Sequence, residues 1–260
     1  MTNSVSNAQL FFDLHIKGNP VIIYNAWDGG SAKTIASCGA KAIATGDHPV
    51  GFAHGFGNDD FEDFTFEIYL PTIKEIASRI GDLPFSVDIS NANNLVGDDL
   101  KKRIRTVIDA GAVGINFEDG LTDGGDVLAL EDQVKRLQTI RAAADEAGLP
   151  LFINARTDLF IHAPQADHEA LLDAAVLRAE AFEGAGANGF FVPGLLNIEL
   201  IKKLVSRVQL PINIIRLPGA PSTAELAEAG VARISYGPVP QMAMTAWLKT
   251  QATAALNGEI

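Results

Sequence analysis

Cysteine is nearly absent from this chain: Cys38 is the single thiol in 260 residues. An intramolecular disulfide is therefore excluded, and a reducing compartment fits. Cys38 falls in the helical stretch 31–39, where a buried structural thiol is expected rather than a nucleophile. Positive charge is also short, with 20 Lys and Arg against 32 Asp and Glu and a formal net charge of -12. Nucleic acid and anionic membranes need concentrated Lys and Arg, so neither is an expected partner. Long apolar runs are missing, and nothing approaches the roughly 20-residue span of a membrane helix. The opening MTNSVSNAQLFFDL has neither the basic start nor the apolar run of a signal peptide. A soluble, cytoplasmic protein is the expectation. No HExxH, CxxC or Gly-x-Ser-x-Gly occurs, which removes support for zincin, redox and α/β-hydrolase chemistry. Asp123-Gly124-Gly125 is no dinucleotide fingerprint and reads as an ordinary strand-to-helix loop.

What is present is apolar and alternating. Hydrophobic residues make up 47% of the chain and charged ones 20%, enough for a large core and too apolar for disorder. Short apolar runs at 21–24, 42–45, 85–89, 114–118, 151–155, 189–192, 212–215 and 232–235 read as strands. Helical patterns follow each, at 32–37, 66–80, 98–110, 131–147, 168–184, 198–208, 223–229 and 239–256. Gly39, Gly81, Gly111, Gly148 and Gly230 sit just past helices, where a left-handed closing residue is wanted. Leu-Pro pairs at 83–84, 149–150 and 210–211 bias the chain toward extended structure before three strands. Eight such units close a parallel barrel; a doubly wound open sheet is the alternative. No linker or composition break divides the chain, so residues 1–260 read as one (β/α)8 barrel domain, α/β in class. The segment before Gly18 reads as a short helix plugging the barrel's bottom.

Three strands end in charge. The run 85–89 carries Asp88, 114–117 runs into Glu118-Asp119, and 151–154 runs into Arg156. Strand C-termini of such a barrel converge on one face, which holds the active site. Asp88 and Glu118 on adjacent strands offer hard oxygen ligands suited to Mg²⁺, which takes one or two protein carboxylates and keeps waters. The other reading is a pair of acids salt-bridged across the barrel mouth. Arg156 offers a planar fork to a carboxylate or phosphonate, unless Asp158 holds it in a structural pair. Together these residues suggest an enzyme acting on a small anionic molecule with a divalent metal. The segment 46–65 reads as a long, acidic, glycine-bearing loop, either a lid or a solvated excursion. It carries His48 and His54, either acid/base groups or polar surface. His162 and His168 flank a helix start and read as structural.

At this point the residues resemble a known family. Asn25-Ala26-Trp27-Asp28, the run 42–46, His54-Gly55-Phe56, Val87-Asp88, the runs 114–119, 154–158 and 191–195, and the run 231–237 occur in order along nearly the whole chain. They resemble the isocitrate lyase/phosphoenolpyruvate mutase superfamily, most of all its small phosphonomutase-like or isocitrate-lyase-like members. The resemblance implies a (β/α)8 barrel binding Mg²⁺, or Mn²⁺, and an α-oxocarboxylate or its enolate. It implies metal-shell roles for Asp88 and Glu118 and a substrate-binding role for Arg156. Arg156, Asp47 and His48 become the catalytic candidates, and Trp27, Asp28, Thr45, Gly46 and Asn213 join Arg156 as substrate-binding candidates. Final helices of the family often swap between subunits. The apolar stretch 239–256 either does this here, giving a homodimer or homotetramer, or covers its own barrel.

The chain also departs from the family. The lyase branch carries a cysteine in a Lys-Lys-Cys-Gly-His-type loop after the fourth strand, whereas 120–129 holds neither cysteine nor histidine. The longer Lys/Asn-bearing loop of mutases and phosphonopyruvate hydrolases is missing too. Asp47-His48-Pro49 replaces the small residues that receive a substrate carboxylate, so Asp47 would repel one and Pro49 removes a backbone donor. Asn58, beside Asp59 and Asp60, stands near a family loop acid, and Ser90 replaces a second acid. The expected activity is a Mg²⁺-dependent lyase or decarboxylase-like cleavage of a C–C bond next to the carbonyl of a small α-oxo acid. C–P chemistry on a phosphonate is one alternative, and a metabolite-binding barrel without turnover is the other.

Overall fold

A computed structural model of the chain describes residues 2–121 and 126–259. The glycines of the 123–125 loop lie outside the described residues. Eight strands form one parallel sheet: β1 (Val21–Ile23), β2 (Ile43–Ala44), β3 (Phe85–Asp88), β4 (Gly114–Glu118), β5 (Phe152–Arg156), β6 (Gly189–Phe191), β7 (Ile212–Ile215) and β8 (Arg233–Ser235). Their order is β1-β8-β7-β6-β5-β4-β3-β2. The two end strands meet where Ala26 and Thr45 form a parallel bridge, the Ala26 N–H donating to Ala44 O at 2.8 Å. The sheet thus curls into a nearly closed (β/α)8 barrel, and the open-sheet alternative falls.

The described helices are α1 (Thr2–Asp13), α2 (Gly29–Ser37), α3 (Asp47–Ala53), α4 (Phe66–Arg79), α5 (Gly97–Asp109), α6 (Leu130–Glu146), α7 (Leu172–Gly184), α8 (Ile198–Arg207), α9 (Thr223–Glu228) and α10 (Val239–Leu256). The five glycines expected to close helices all adopt positive φ, between 61° and 105°. Segment 46–65 is not a plain loop, because it opens with α3 and holds a 3₁₀ turn at Phe61–Asp63. Asp47 and Pro49 lie in the first turn of α3. An acid favours the dipole there, and the proline costs no helical hydrogen bond. Helix α7 begins later than its sequence pattern, after a 3₁₀ stretch Gln165–Leu171 that buries His168. Cys38, expected to be buried, is exposed at the C-cap of α2, just past Ile35 and Ala36, which still pack on the core.

Side chains alternate along a strand, and here the inward positions stack in layers. At the bottom, Phe11 of α1 enters beneath β4 and β5, its ring 5.3 Å from that of Phe152. This is the expected plug. A Cβ on Gly114 would lie 2.6 Å from the Phe11 ring, so the close approach needs glycine. The middle layer is polar: Asn154 Nδ2 donates to Asn116 Oδ1 at 2.9 Å and to Asn213 Oδ1 at 3.0 Å. Arg233, fully buried, donates from Nη2 to Asn116 Oδ1 at 3.3 Å. Above this layer Glu118 and Arg156 sit side by side in the β4–β5 register.

Helix α10 leaves the barrel after packing its start on α3. Met242, Met244, Trp247 and Leu248 are each more than half exposed, at 54%, 51%, 58% and 58%, so α10 does not cover its own barrel. No described helix is long and apolar enough to cross a membrane.

Candidate active site

The C-terminal ends of β3, β4 and β5 open into a cavity of about 650 Å³. Asp88, Glu118 and Arg156 line it, together with Asp47 and His48 from α3 and Asp158 beyond β5. The fold thus gathers both metal candidates and all three catalytic candidates at one place.

Asp88 is held from three sides. Its N–H donates to Thr45 Oγ1 at 3.1 Å, and its Oδ1 accepts from Ser90 N–H at 3.0 Å. Its Oδ2 accepts from Asn116 Nδ2 at 3.3 Å, which ties the carboxylate to the polar layer below. Thr45 is oriented in turn by the Tyr69 hydroxyl, which donates to its Oγ1. Burial, and then the Asp47 charge, push Asp88 up to about 6.

Glu118 Oε2 lies 2.8 Å from Arg156 Nη1. Asp158 takes the other side of the same guanidinium, with Nε on Oδ1 at 2.6 Å and Nη2 on Oδ2 at 3.0 Å. Both pairings foreseen as alternatives are therefore present: Nε and Nη2 donate to Asp158, and Nη1 is ion-paired with Glu118. Burial is the main reason that Glu118 holds its proton more tightly than usual; Asp158, Asp47 and Asp88 add to this while Arg156 opposes it. Asp158 is itself fixed by the fully buried Asp119, whose Oδ1 accepts the Asp158 N–H at 2.9 Å while Oδ2 pairs with Arg178 at 3.0 Å. Gly120 makes room for this approach, since a Cβ there would lie 2.5 Å from Asp158 Oδ2.

Asp47 does not present a bare charge. Its Oδ1 accepts from the His48 N–H at 2.7 Å and lies 2.9 Å from His48 Nδ1, and its Oδ2 accepts from the Ser90 hydroxyl. Burial works against its ionisation, but His48, Ser90 and Arg156 outweigh it and hold the carboxyl below the usual range. Burial likewise opposes a charged His48, yet the Asp47 hydrogen bond and charge prevail and raise its proton affinity. The His48 ring stacks on Phe61 at 4.3 Å. Asn58, Asp59, Phe61 and Glu62 line the cavity, so the acidic segment faces the site rather than looping away from it.

Five substrate-binding candidates do not line this cavity. Asp28 caps α2 by accepting the Ser31 N–H at 2.6 Å, and Trp27 donates its N–H to Ser31 Oγ at 3.0 Å. Thr45 works beneath Asp88, and Gly46 caps α3, where a Cβ would lie 2.9 Å from the Pro49 ring. Asn213 belongs to the polar layer. His54 bonds Thr72 Oγ1 at 2.9 Å outside the cavity, whereas His162, read as structural, lines it. Sequence reading missed Tyr69, Arg103, Arg178 and the asparagine layer. Asn116 and Asn154 had a legible signal, as polar residues two positions before Glu118 and Arg156 on the same strand face. The helix residues had none.

Among the described residues no three His, Cys, Asp or Glu side chains form a ligand cluster. An all-protein metal cage is thus not offered. The carboxylates of Asp88 and Glu118, two hard oxygen donors lining one cavity, do fit a cation that keeps its waters.

A carboxylate-lined (β/α)8 barrel with its site at the strand ends defines the broad class. The family model for phosphoenolpyruvate phosphomutase matches residues 11–256. The 2-methylisocitrate lyase of Escherichia coli K12 is 30% identical over 232 residues, covering 85% of this chain and 74% of that one. An uncharacterised protein of Mycobacterium tuberculosis H37Rv is 30% identical over 251 residues, covering 96% and 90%. The crystal structure of a candidate phosphonomutase from Burkholderia cenocepacia J2315 is 39% identical with TM-score 0.90, covering 98% and 99%. The chain belongs to the phosphoenolpyruvate phosphomutase family, within the phosphoenolpyruvate mutase/isocitrate lyase superfamily that its sequence resembles.

Proposed function

We propose that this protein is a Mg²⁺-dependent lyase that cleaves a C–C bond next to the carbonyl of a small α-oxo acid. One observation carries the reading: four carboxylates, of Asp47, Asp88, Glu118 and Asp158, face a single cavity around the guanidinium of Arg156. Such a site is short of positive charge, and a divalent cation with an anionic substrate restores the balance. Asp88 and Glu118 would hold Mg²⁺, or Mn²⁺, through water. The ion would supply positive charge for an enolate oxygen, where negative charge develops as the bond breaks. The N–H bonds of Arg156 that do not donate to Asp158 hold the substrate carboxylate. Asp47 keeps a proton on His48, which would donate it to the enolate carbon, while an ionised cavity carboxylate would take the proton of the hydroxyl that becomes the carbonyl product. The polar layer under Asp88 and the Asp119–Asp158 support keep these groups in place before substrate arrives.

The family relationship to a lyase supports C–C chemistry, while the 39% identical candidate phosphonomutase favours C–P chemistry as a second reading. A screen of α-oxo acids and phosphonates with Mg²⁺ or Mn²⁺, read by product detection, tests both. Metal-dependent release of a carbonyl product supports the lyase, and phosphate release supports the second reading. No turnover of any substrate would leave a metabolite-binding barrel whose site is altered at Asp47, Asn58 and Ser90. We further propose that exposed α10 packs on a neighbouring subunit, giving a homodimer or homotetramer. A cytoplasmic setting suits the exposed lone thiol.

A further inference from the structure

We propose that Arg103 forms a second anion subsite of the same cavity, so that the substrate carries an anionic group at the end remote from Arg156. The inference rests on the α-oxo acid reading above and deepens it. Arg103 sits on α5, in the outer layer, yet lines the cavity together with Arg156 of β5. Its guanidinium carbon lies 3.8 Å from the centre of the Phe66 ring. A cation held over an aromatic face is fixed in orientation but keeps the edge of its plane free to donate. One long bond uses that edge, from Nη1 to Asn93 Oδ1 at 3.4 Å.

Of the other arginines at least partly buried, Arg216 has only one long bond, to Tyr236 OH at 3.4 Å, and does not line this cavity, while three are committed. Arg136 and Arg141 satisfy backbone carbonyls, and Arg178 pairs with Asp119. Arg103 has no carboxylate within 4 Å among the described residues. Burial disfavours its charge, and the nearby Glu67 offsets this in part. A half-buried cation in a cavity, with only one long hydrogen bond of its own, is suited to an anion brought by a ligand.

The remaining geometry agrees. Arg156 donates twice to Asp158 and is ion-paired with Glu118, so one substrate carboxylate uses what is left. A second anion must be received elsewhere, and Arg103 is the other guanidinium facing the cavity. A volume of about 650 Å³ equals roughly twenty waters at about 30 Å³ each, far more than a short α-oxo acid fills. Because Arg156 lies on a strand and Arg103 on the helix layer outside it, a diacid long enough to span the cavity would bring its second carboxylate to Arg103.

Calorimetry of the full chain with Mg²⁺ tests this through ligand pairs that differ in the distal anion: 2-oxoglutarate against 2-oxopentanoate, and 2-oxoadipate against 2-oxohexanoate. Oxalate serves as the short control. The wild type should prefer the diacid by about tenfold or more in at least one pair, as one charge-assisted hydrogen bond allows. Arg103→Met should reduce that preference to within about twofold with oxalate affinity unchanged, and Arg103→Lys should fall between. Absence of diacid preference in wild type that binds oxalate overturns this inference alone. Equal weakening of oxalate and diacid in Arg103→Met overturns it too, since Arg103 would then be a structural rim residue. Failure of the wild type to bind oxalate or any of the oxo acids overturns the α-oxo acid reading and this inference with it.

Discussion

Replacing Asp88 by Asn should make the metal-free protein more stable and the metal-loaded protein less so. The proton affinity of the folded carboxyl rises from an ordinary 3.8 to about 6 because burial and Asp47 disfavour its charge. At ~1.4 kcal/mol per tenfold change, keeping Asp88 ionised at pH 8 costs the metal-free fold about 3 kcal/mol. Asn removes that charge and keeps Oδ1 for the Ser90 N–H. It also turns an amide toward the Asn116 Nδ2 that Oδ2 now accepts, losing about 1 kcal/mol. The net gain is about 2 kcal/mol, or roughly 4–8 °C in Tm for a chain of this size. The sign follows from linkage. An acid with a raised folded pKa destabilises the fold as pH rises through the interval from 3.8 to about 6. The advantage of Asp88→Asn should thus be absent near pH 4 and complete above about 7. Mg²⁺ at a hundredfold excess over its Kd should stabilise the wild type by about 2.7 kcal/mol at pH 8, and the variant little. Thermal unfolding in EDTA and in saturating Mg²⁺ should therefore show the two curves change places. A variant that melts below wild type in EDTA at pH 8, or keeps the wild-type Mg²⁺ shift, would refute the argument.

Asp47→Ser should tighten oxaloacetate binding, by less than the several kcal/mol of a bare like charge because His48 and Ser90 already hold the Asp47 carboxylate; unchanged affinity in calorimetry would show the repulsion argument to be wrong. The same variant should lose only about 1–2 kcal/mol of stability, from the hydrogen bonds to His48 and Ser90. Light scattering at micromolar concentration should give a dimer or tetramer, and Trp247→Glu with Leu248→Glu should dissociate it. A monomeric wild type would refute the packing assigned to α10.

The departure at Asp47 shows how far local reading goes. The sequence indicated a misplaced charge, and like-charge repulsion followed. Whether the carboxylate faced the substrate depended on neighbours far along the chain, and Ser90, 43 positions away, supplies one of its hydrogen bonds. Arg156 behaves alike: the possible pair with Asp158 was legible two residues on, whereas the pair with Glu118 needed the β4–β5 register. Segment 46–65 misled because its glycines and acids suit a loop, while a helix also accepts an acid and a proline in its first turn.

The sequence by itself determined the periodic features: eight apolar strands, the helices between them, the glycines that close those helices, and three strands ending in Asp88, Glu118 and Arg156. Backbone sterics and side-chain alternation act over a few residues, so such features are written locally. Tertiary structure alone decided which charges meet. It paired Asp47 with Ser90, bound Arg156 to Asp158 and Glu118, built the asparagine layer beneath Asp88, and left Arg103 at the cavity without a carboxylate. Coulomb energy and burial depend on distances between residues far apart in the chain, and those distances exist only once the barrel has closed.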